Sequence, residues 1–177
     1  MSDRMTCYLS LGSNLGDRAR ALAQALALLD AHPDIHVRQV SPVYETKAVA
    51  DEPQPDYLNL AAALETALEP RALLAVMHDI EQRLGRTRPY QDAPRTLDLD
   101  LLVCATEGAP GGIMCATAEL TLPHPRMLER QFVLQPLADL NPDLQVGGAP
   151  PVAELVNRDD PDVRRLGELS ELVGAAR

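Results

Sequence analysis

"PRTLDLDLL", residues 94–102, decides how this chain is read. It has the apolar content of a core strand, yet two carboxylates interrupt it. In an extended strand successive side chains alternate faces and rise about 3.3 Å per residue. Asp98 and Asp100 therefore share one face, roughly 6.6 Å apart, while Leu97, Leu99, Leu101 and Val103 are expected on the other. Two like charges that close repel and lose hydration when buried. A proton on one carboxylate, arginine partners or a divalent cation would each relieve the cost. Oxygen-only ligands at this spacing suit magnesium, which keeps several waters and takes phosphate oxygens as further ligands. The plainer alternative is a half-exposed edge strand whose acids pair with surface arginines.

The elements around this strand follow a simple order. "TCYLSLG" (6–12) reads as a strand ending in a turn. The next stretch carries Leu22, Leu26 and Leu29 at helical spacing. "IHVRQVSPVYET" (35–46) is extended, with Pro42 favouring an edge or a bulge. "YLNLAAAL" (57–64) alternates, placing Leu58, Leu60, Ala62 and Leu64 on one side and Tyr57 and Asn59 on the other. A helix follows, with Pro70 at its start, Leu73, Met77, Ile80 and Leu84 as its stripe, and Gly85 as its stop. Strand, helix, strand, strand, helix, strand predicts an α+β fold: a ferredoxin-like βαββαβ sandwich with helices packed on an antiparallel sheet. Beyond Val103 come a glycine-containing excursion, the extended "ELTLPHP" (119–125), and "MLERQFVLQPLADL" (127–140), expected to be helical up to about Pro136. The Pro- and Asp-rich stretch from Gly147 reads as a C-terminal extension, a short helix and an arm.

Bulk properties limit the function. A chain of 177 residues with 46% hydrophobic and 24% charged content suits one soluble domain. Absence of a long apolar run argues against a membrane span or secretory signal. Cys7, Cys104 and Cys115 lack paired spacing, which fits a reducing cytoplasm better than disulfides or a zinc site. A net charge of −10 argues against a nucleic-acid backbone as partner. Of 16 basic residues only Lys47 is a lysine, and no G-x-x-x-x-G-K-[ST] occurs, so no P-loop is present. Phosphate handling would then rest on arginine, whose planar fork suits bidentate contact. Arg86, Arg88 and Arg95 lie just upstream of the aspartates, and that grouping points to a polyphosphate. Asn59, an amide on a largely apolar strand, could pair flat with a heterocycle. Glycines in "GSNLGDR" (12–18) could let backbone N–H groups meet an anion. Glu81 near the helix end and His124 between two prolines have ordinary structural readings as well.

Five segments in series, "LGSNLGDR" (11–18), "QPDYLN" (54–59), "IEQRLGRTR" (80–88), "PRTLDLDLL" (94–102) and "LPHPRMLERQFVLQPL" (122–137), resemble the 6-hydroxymethyl-7,8-dihydropterin pyrophosphokinase family over residues 6–144. The resemblance implies an ATP-dependent diphosphotransferase of folate biosynthesis, which moves pyrophosphate from ATP to the hydroxymethyl group of a reduced pterin. It implies Asp98 and Asp100 as ligands of two Mg2+ ions, with Arg86 and Arg95 completing the catalytic set. Arg88, Leu101, Thr121, His124 and Arg130 would meet ATP. Thr46, Val49, Tyr57, Asn59 and Phe132 would meet the pterin, with Tyr57 and Phe132 on its two ring faces. Glu81 would hold an arginine or the helix end. It further implies a pyrophosphokinase-like domain over residues 1–146 with residues 147–177 as an arm packed on it, and a cytoplasmic monomer or weak homo-oligomer without nucleic-acid or membrane partners. The chain departs from the pattern at "QDAP" (91–94), where Asp92 stands in place of an aromatic. That departure leaves open a binding relative with poor turnover, and the same acids leave open a metal-dependent nucleotide hydrolase.

Overall fold

A computed structural model describes residues 4–48, 53–84 and 97–175. At its centre is β1 (Met5–Ser13), buried along nearly its whole length. Its side chains alternate, sending Cys7, Leu9 and Leu11 into one core and Tyr8 into another on the opposite face. The helix α1 (Arg18–Ala31) begins where the Asp17 carboxylate accepts the Arg20 N–H at 3.1 Å, an N-cap that satisfies one orphan donor of the first turn. The expected extended piece after it is two strands, β2 (Ile35–Val40) and β3 (Val43–Thr46), broken at Pro42, which has no N–H to give a ladder. Next come β4 (Tyr57–Thr66), α2 (Pro70–Leu84) and β5 (Asp98–Ala105).

These strands form an antiparallel sheet in the order β5, β1, β4, β3, with β2 also paired to β4. An α+β architecture with helices on an antiparallel sheet is thus what the chain adopts. Leu22, Leu26 and Leu29 of α1 and Leu73, Met77 and Ile80 of α2 share one core with Leu9, Leu11, Leu58, Leu60, Ala62 and Leu64 of the sheet. Each such leucine, fully buried, contributes about 1.5–3 kcal/mol.

The other sheet face has its own helix. After the short hairpin of β6 (Cys115–Ala116) and β7 (Thr121–Leu122) and a single 3-10 turn (Met127–Glu129), α3 (Gln131–Leu140) buries Val133, Leu134, Leu137 and Ala138. They pack with Tyr8, Ala63, Leu102 and Val103. Two expectations are corrected here. The helix does not end near Pro136 but runs through it. Pro136 has no N–H for the Phe132 carbonyl, and burial of the surrounding apolar face holds the helix together regardless. Val103 does not share the face of Leu97, Leu99 and Leu101. Tyr8 pairs with Val103 but Leu9 pairs with Leu101, so Leu102 is an extra residue. This bulge turns Leu102 and Val103 toward α3.

The C-terminal residues supply α4 (Val152–Leu155), β8 (Val163–Gly167), which pairs antiparallel with β3, and α5 (Leu169–Ala175). No described helix is long and apolar enough to cross a membrane.

Candidate active site

Where α3 stops short of covering the sheet, a cleft of about 650 Å³ opens. Its floor is set by strand register. Asp98 stands opposite Gly12 and Asp100 opposite Ser10, while Gly12 and Ser10 also face Asn59 and Ala61 across the β1–β4 ladder. Neighbouring strands lie about 4.8 Å apart, so Asp98 and Asn59 are separated by roughly 10 Å with a glycine between them. The alternation that sends Leu97, Leu99 and Leu101 into the helix-side core sends both aspartates, half-buried, into the cleft.

Gly12 is required by a close approach. A Cβ there would lie 2.6 Å from the Asn59 Oδ1 and 3.4 Å from the Tyr57 ring. Its sequence context suggested an anion-binding turn; its place in the fold is the bare floor against which Asn59 lies. Asn59 is 5% exposed, and its Nδ2 donates to the Thr46 Oγ1 at 2.6 Å. That bond fixes the amide plane. Tyr57 and Phe132 both line the cleft, and the Arg130 guanidinium sits 5.6 Å above the Phe132 ring centroid.

Of the expected site residues, the structure brings together Thr46, Tyr57, Asn59, Asp98, Asp100, Arg130 and Phe132. Leu101 and Thr121 are not brought into the cleft: Leu101 points into the helix-side core, and Thr121 is exposed on β7. His124 is outside the lining but close enough for the Asp100 charge to act on it. Val49, Arg86, Arg88 and Arg95 lie outside the described residues, as does Asp92. Arg126, Glu129, Asp160 and Asp162 also line the cleft, and the sequence did not single them out. The acids of "RDDPD" (158–162) are visible as composition, but nothing local says that they return to β3.

Glu81 acts in a way the sequence did not predict. Among the described residues the strand β5 is an edge, and its outward N–H groups have no ladder partner there. Glu81 reaches from α2 and accepts the N–H of Leu99, the residue between the two aspartates, at 3.1 Å. Replacing it with leucine strands that donor and should lower unfolding stability by about 1–3 kcal/mol. Glu81→Gln keeps an acceptor oxygen and should retain most of it. Urea unfolding of the two variants measures the difference, and equal losses would deny Glu81 this role.

His124 carries a pH signature. Its Nδ1 accepts the Arg126 N–H at 3.2 Å, which only the neutral ring can do. Burial pushes its pKa below the usual imidazole value, outweighing the opposing pull of Asp100. The unfolded chain therefore binds this proton more readily than the folded one. The contribution is full above about pH 6.5 and is lost as pH falls from there through the folded pKa. Substituting His124 with asparagine should flatten that part of the acid limb in urea midpoints taken between about pH 7.5 and 5.5. An unchanged slope would contradict it.

The donor set of the cleft fits magnesium. Asp98 and Asp100 offer oxygen alone, and among the described residues no group of three or more His, Cys, Asp or Glu forms an all-protein cage. Magnesium uses one or two carboxylates and completes its shell with water and phosphate.

The family model described as "7,8-dihydro-6-hydroxymethylpterin-pyrophosphokinase (HPPK)" matches residues 8–142. The chain belongs to the HPPK family. Within it, the chain is 47% identical over 133 residues to the 2-amino-4-hydroxy-6-hydroxymethyldihydropteridine pyrophosphokinase of Bacillus subtilis, covering 75% of this chain and 76% of that protein. It is 42% identical over 159 residues to the protein of the same name in Methylorubrum extorquens, covering 90% and 97%. Among solved structures, Plasmodium falciparum HPPK-DHPS superposes with a TM-score of 0.68 at 14% identity, over 88% of this chain and 43% of that one. This likeness shows the fold alone, and this HPPK-family chain spans less than half the length of that protein.

Proposed function

We propose that this HPPK-family chain transfers the β,γ-pyrophosphoryl group of ATP to the hydroxymethyl oxygen of 6-hydroxymethyl-7,8-dihydropterin, in folate biosynthesis. The observation that carries the reading is one sheet face on which Asp98 and Asp100 lie beside Gly12 and the Thr46-bound amide of Asn59. A cation site and a flat polar edge, about one small heterocycle apart, are what such a transfer needs. In the reaction the pterin oxygen bonds to the β-phosphorus, the bond from the β-phosphorus to the oxygen bridging to the α-phosphorus breaks, AMP departs and the hydroxyl proton is released. Positioning and charge neutralisation supply most of the rate in such displacements.

Asp98 and Asp100 would hold Mg2+, two ions with ATP bound. When present, the metal neutralises phosphate charge and orients the attacking oxygen. Asn59 reads the amide edge of the pterin, and Tyr57 and Phe132 enclose its ring, with Thr46 and Val49 completing that end. Arg130 and His124 meet the nucleotide, with Arg86, Arg88 and Arg95 on its phosphates. Leu101 and Thr121 would serve the nucleoside through their backbone.

We also read the strand order as a ferredoxin-like core, residues 1–146, carrying residues 147–177 as an arm on the same domain; the pairing of β8 with β3 supports this. We read the chain as a monomer or weak homo-oligomer, and free thiols at Cys7, Cys104 and Cys115 fit the cytoplasm. Incubation with ATP, Mg2+ and the reduced hydroxymethylpterin should yield AMP and the pterin diphosphate. ADP as product, or phosphate release that ignores the pterin, would overturn the reading.

A further inference from the structure

The C-terminal arm is tied to α3 by a stripe of polar side chains. Gln131, Gln135 and Asp139 recur at every fourth residue and so lie along one side of the helix. Gln131 donates to the Leu155 carbonyl at 3.0 Å and accepts the Asn157 N–H at 2.8 Å. Gln135, 2% exposed, donates to the Asn157 carbonyl at 2.8 Å. Asp139 accepts from Arg158 at 3.0 Å and from the Tyr44 hydroxyl, and Arg158 also donates to that hydroxyl at 2.8 Å. Tyr44 is 1% exposed and stands directly opposite Asn59 in the β3–β4 register.

This lattice reaches the cleft at three points. Phe132, which lines it, is two helical turns before Asp139 on the same rigid element, roughly 10 Å away. Thr46, which orients Asn59, pairs with Val163 of the arm. The neighbouring Lys47 gives its N–H to the Asp162 carbonyl at 3.1 Å and its ammonium to the Asp162 carboxylate at 3.2 Å. Burying a row of glutamine and tyrosine side chains is costly unless each is satisfied, so the contacts fix one seating of arm, helix and strand.

We infer that Arg158 is a positioning residue for the pterin end of the site: through Tyr44 and Asp139 it sets the spacing between Phe132 on α3 and the Thr46–Asn59 pair on the sheet. It is not among the residues that line the cleft. The inference rests on the functional reading above and deepens it, since it assigns the arm to one substrate and not the other. Asp98 and Asp100 are held by β5 and β1, at the other end of the sheet from β3 and β8, and of the nucleotide contacts proposed above only Arg130, at the start of α3, shares an element with Phe132, so metal–nucleotide binding should feel the loss far less than pterin binding.

Steady-state KM values for each substrate, with direct titrations of a fluorescent oxidised hydroxymethylpterin and of a non-hydrolysable ATP analogue, test this on the full chain. Arg158→Met should raise the pterin KM and Kd about tenfold while those for ATP stay within about twofold. Arg158→Lys should recover much of the loss, because one ammonium still reaches Asp139 or the tyrosine hydroxyl. Tyr44→Phe keeps the packing and should give the same split, about threefold, which serves if Arg158→Met folds poorly. Equal rises for both substrates, or none for either in an active background, would overturn the inference. A wild-type chain that binds no pterin and forms no AMP would instead remove the functional reading beneath it.

Discussion

Alanine at Asp98 or at Asp100 should abolish AMP formation, with kcat falling by about three orders of magnitude or more, since a lost metal ligand removes several kcal/mol of charge stabilisation. The fold should survive. Both carboxylates are half-buried on one strand face and enter the cleft, so alanine at either leaves the core leucines of the opposite face in place. The variants should therefore keep the wild-type circular dichroism spectrum and a Tm within a few degrees. Near-normal turnover in either variant would show that these acids are merely a solvated strand face.

The second large effect is expected at Asn59. Its amide is buried, held by Thr46 and pressed against a bare glycine. Such a group discriminates strongly, because a ligand that loses it must leave its own donors and acceptors unpaired. Two such bonds at about 1–3 kcal/mol each predict a rise in pterin KM of about a hundredfold for Asn59→Ala. The ATP KM should change by less than about twofold, since the amide is one strand beyond the glycine from the aspartates. Separate titrations of the two substrates resolve this. Parallel weakening of both would place Asn59 in the scaffold and not in the pterin site.

Much of this arrangement was legible in the sequence where alternation was clean. In 98–101 and 57–60 polar and apolar residues alternate strictly, so the faces of Asp98, Asp100 and Asn59 followed from the period alone. The pattern ran out at "LLVC" (101–104), where four apolar residues in a row carry no phase and the bulge at Leu102 could not be read. The helix α3 was half visible, because Pro136 argues locally for a break and only the second core shows why it is overridden. Glu81, Gln135, Tyr44 and Arg158 were illegible for a different reason. Each acts through a partner distant in the chain, and side-chain identity does not name that partner. The arm was hardest: "VRRLG" (163–167) is polar and brief, and it is a strand because β3 offers it an edge.

The central claim is that Asp98 and Asp100 hold divalent cations shared with the triphosphate, and electron paramagnetic resonance of Mn2+ tests it most directly. With an ATP analogue whose α,β-bridging oxygen is replaced by methylene, the wild-type protein should sequester two Mn2+ per chain, and the Asp98→Asn, Asp100→Asn double variant should sequester no more than the analogue does alone. If that double variant retains both ions, the cations are held elsewhere and the paired aspartates are not their ligands.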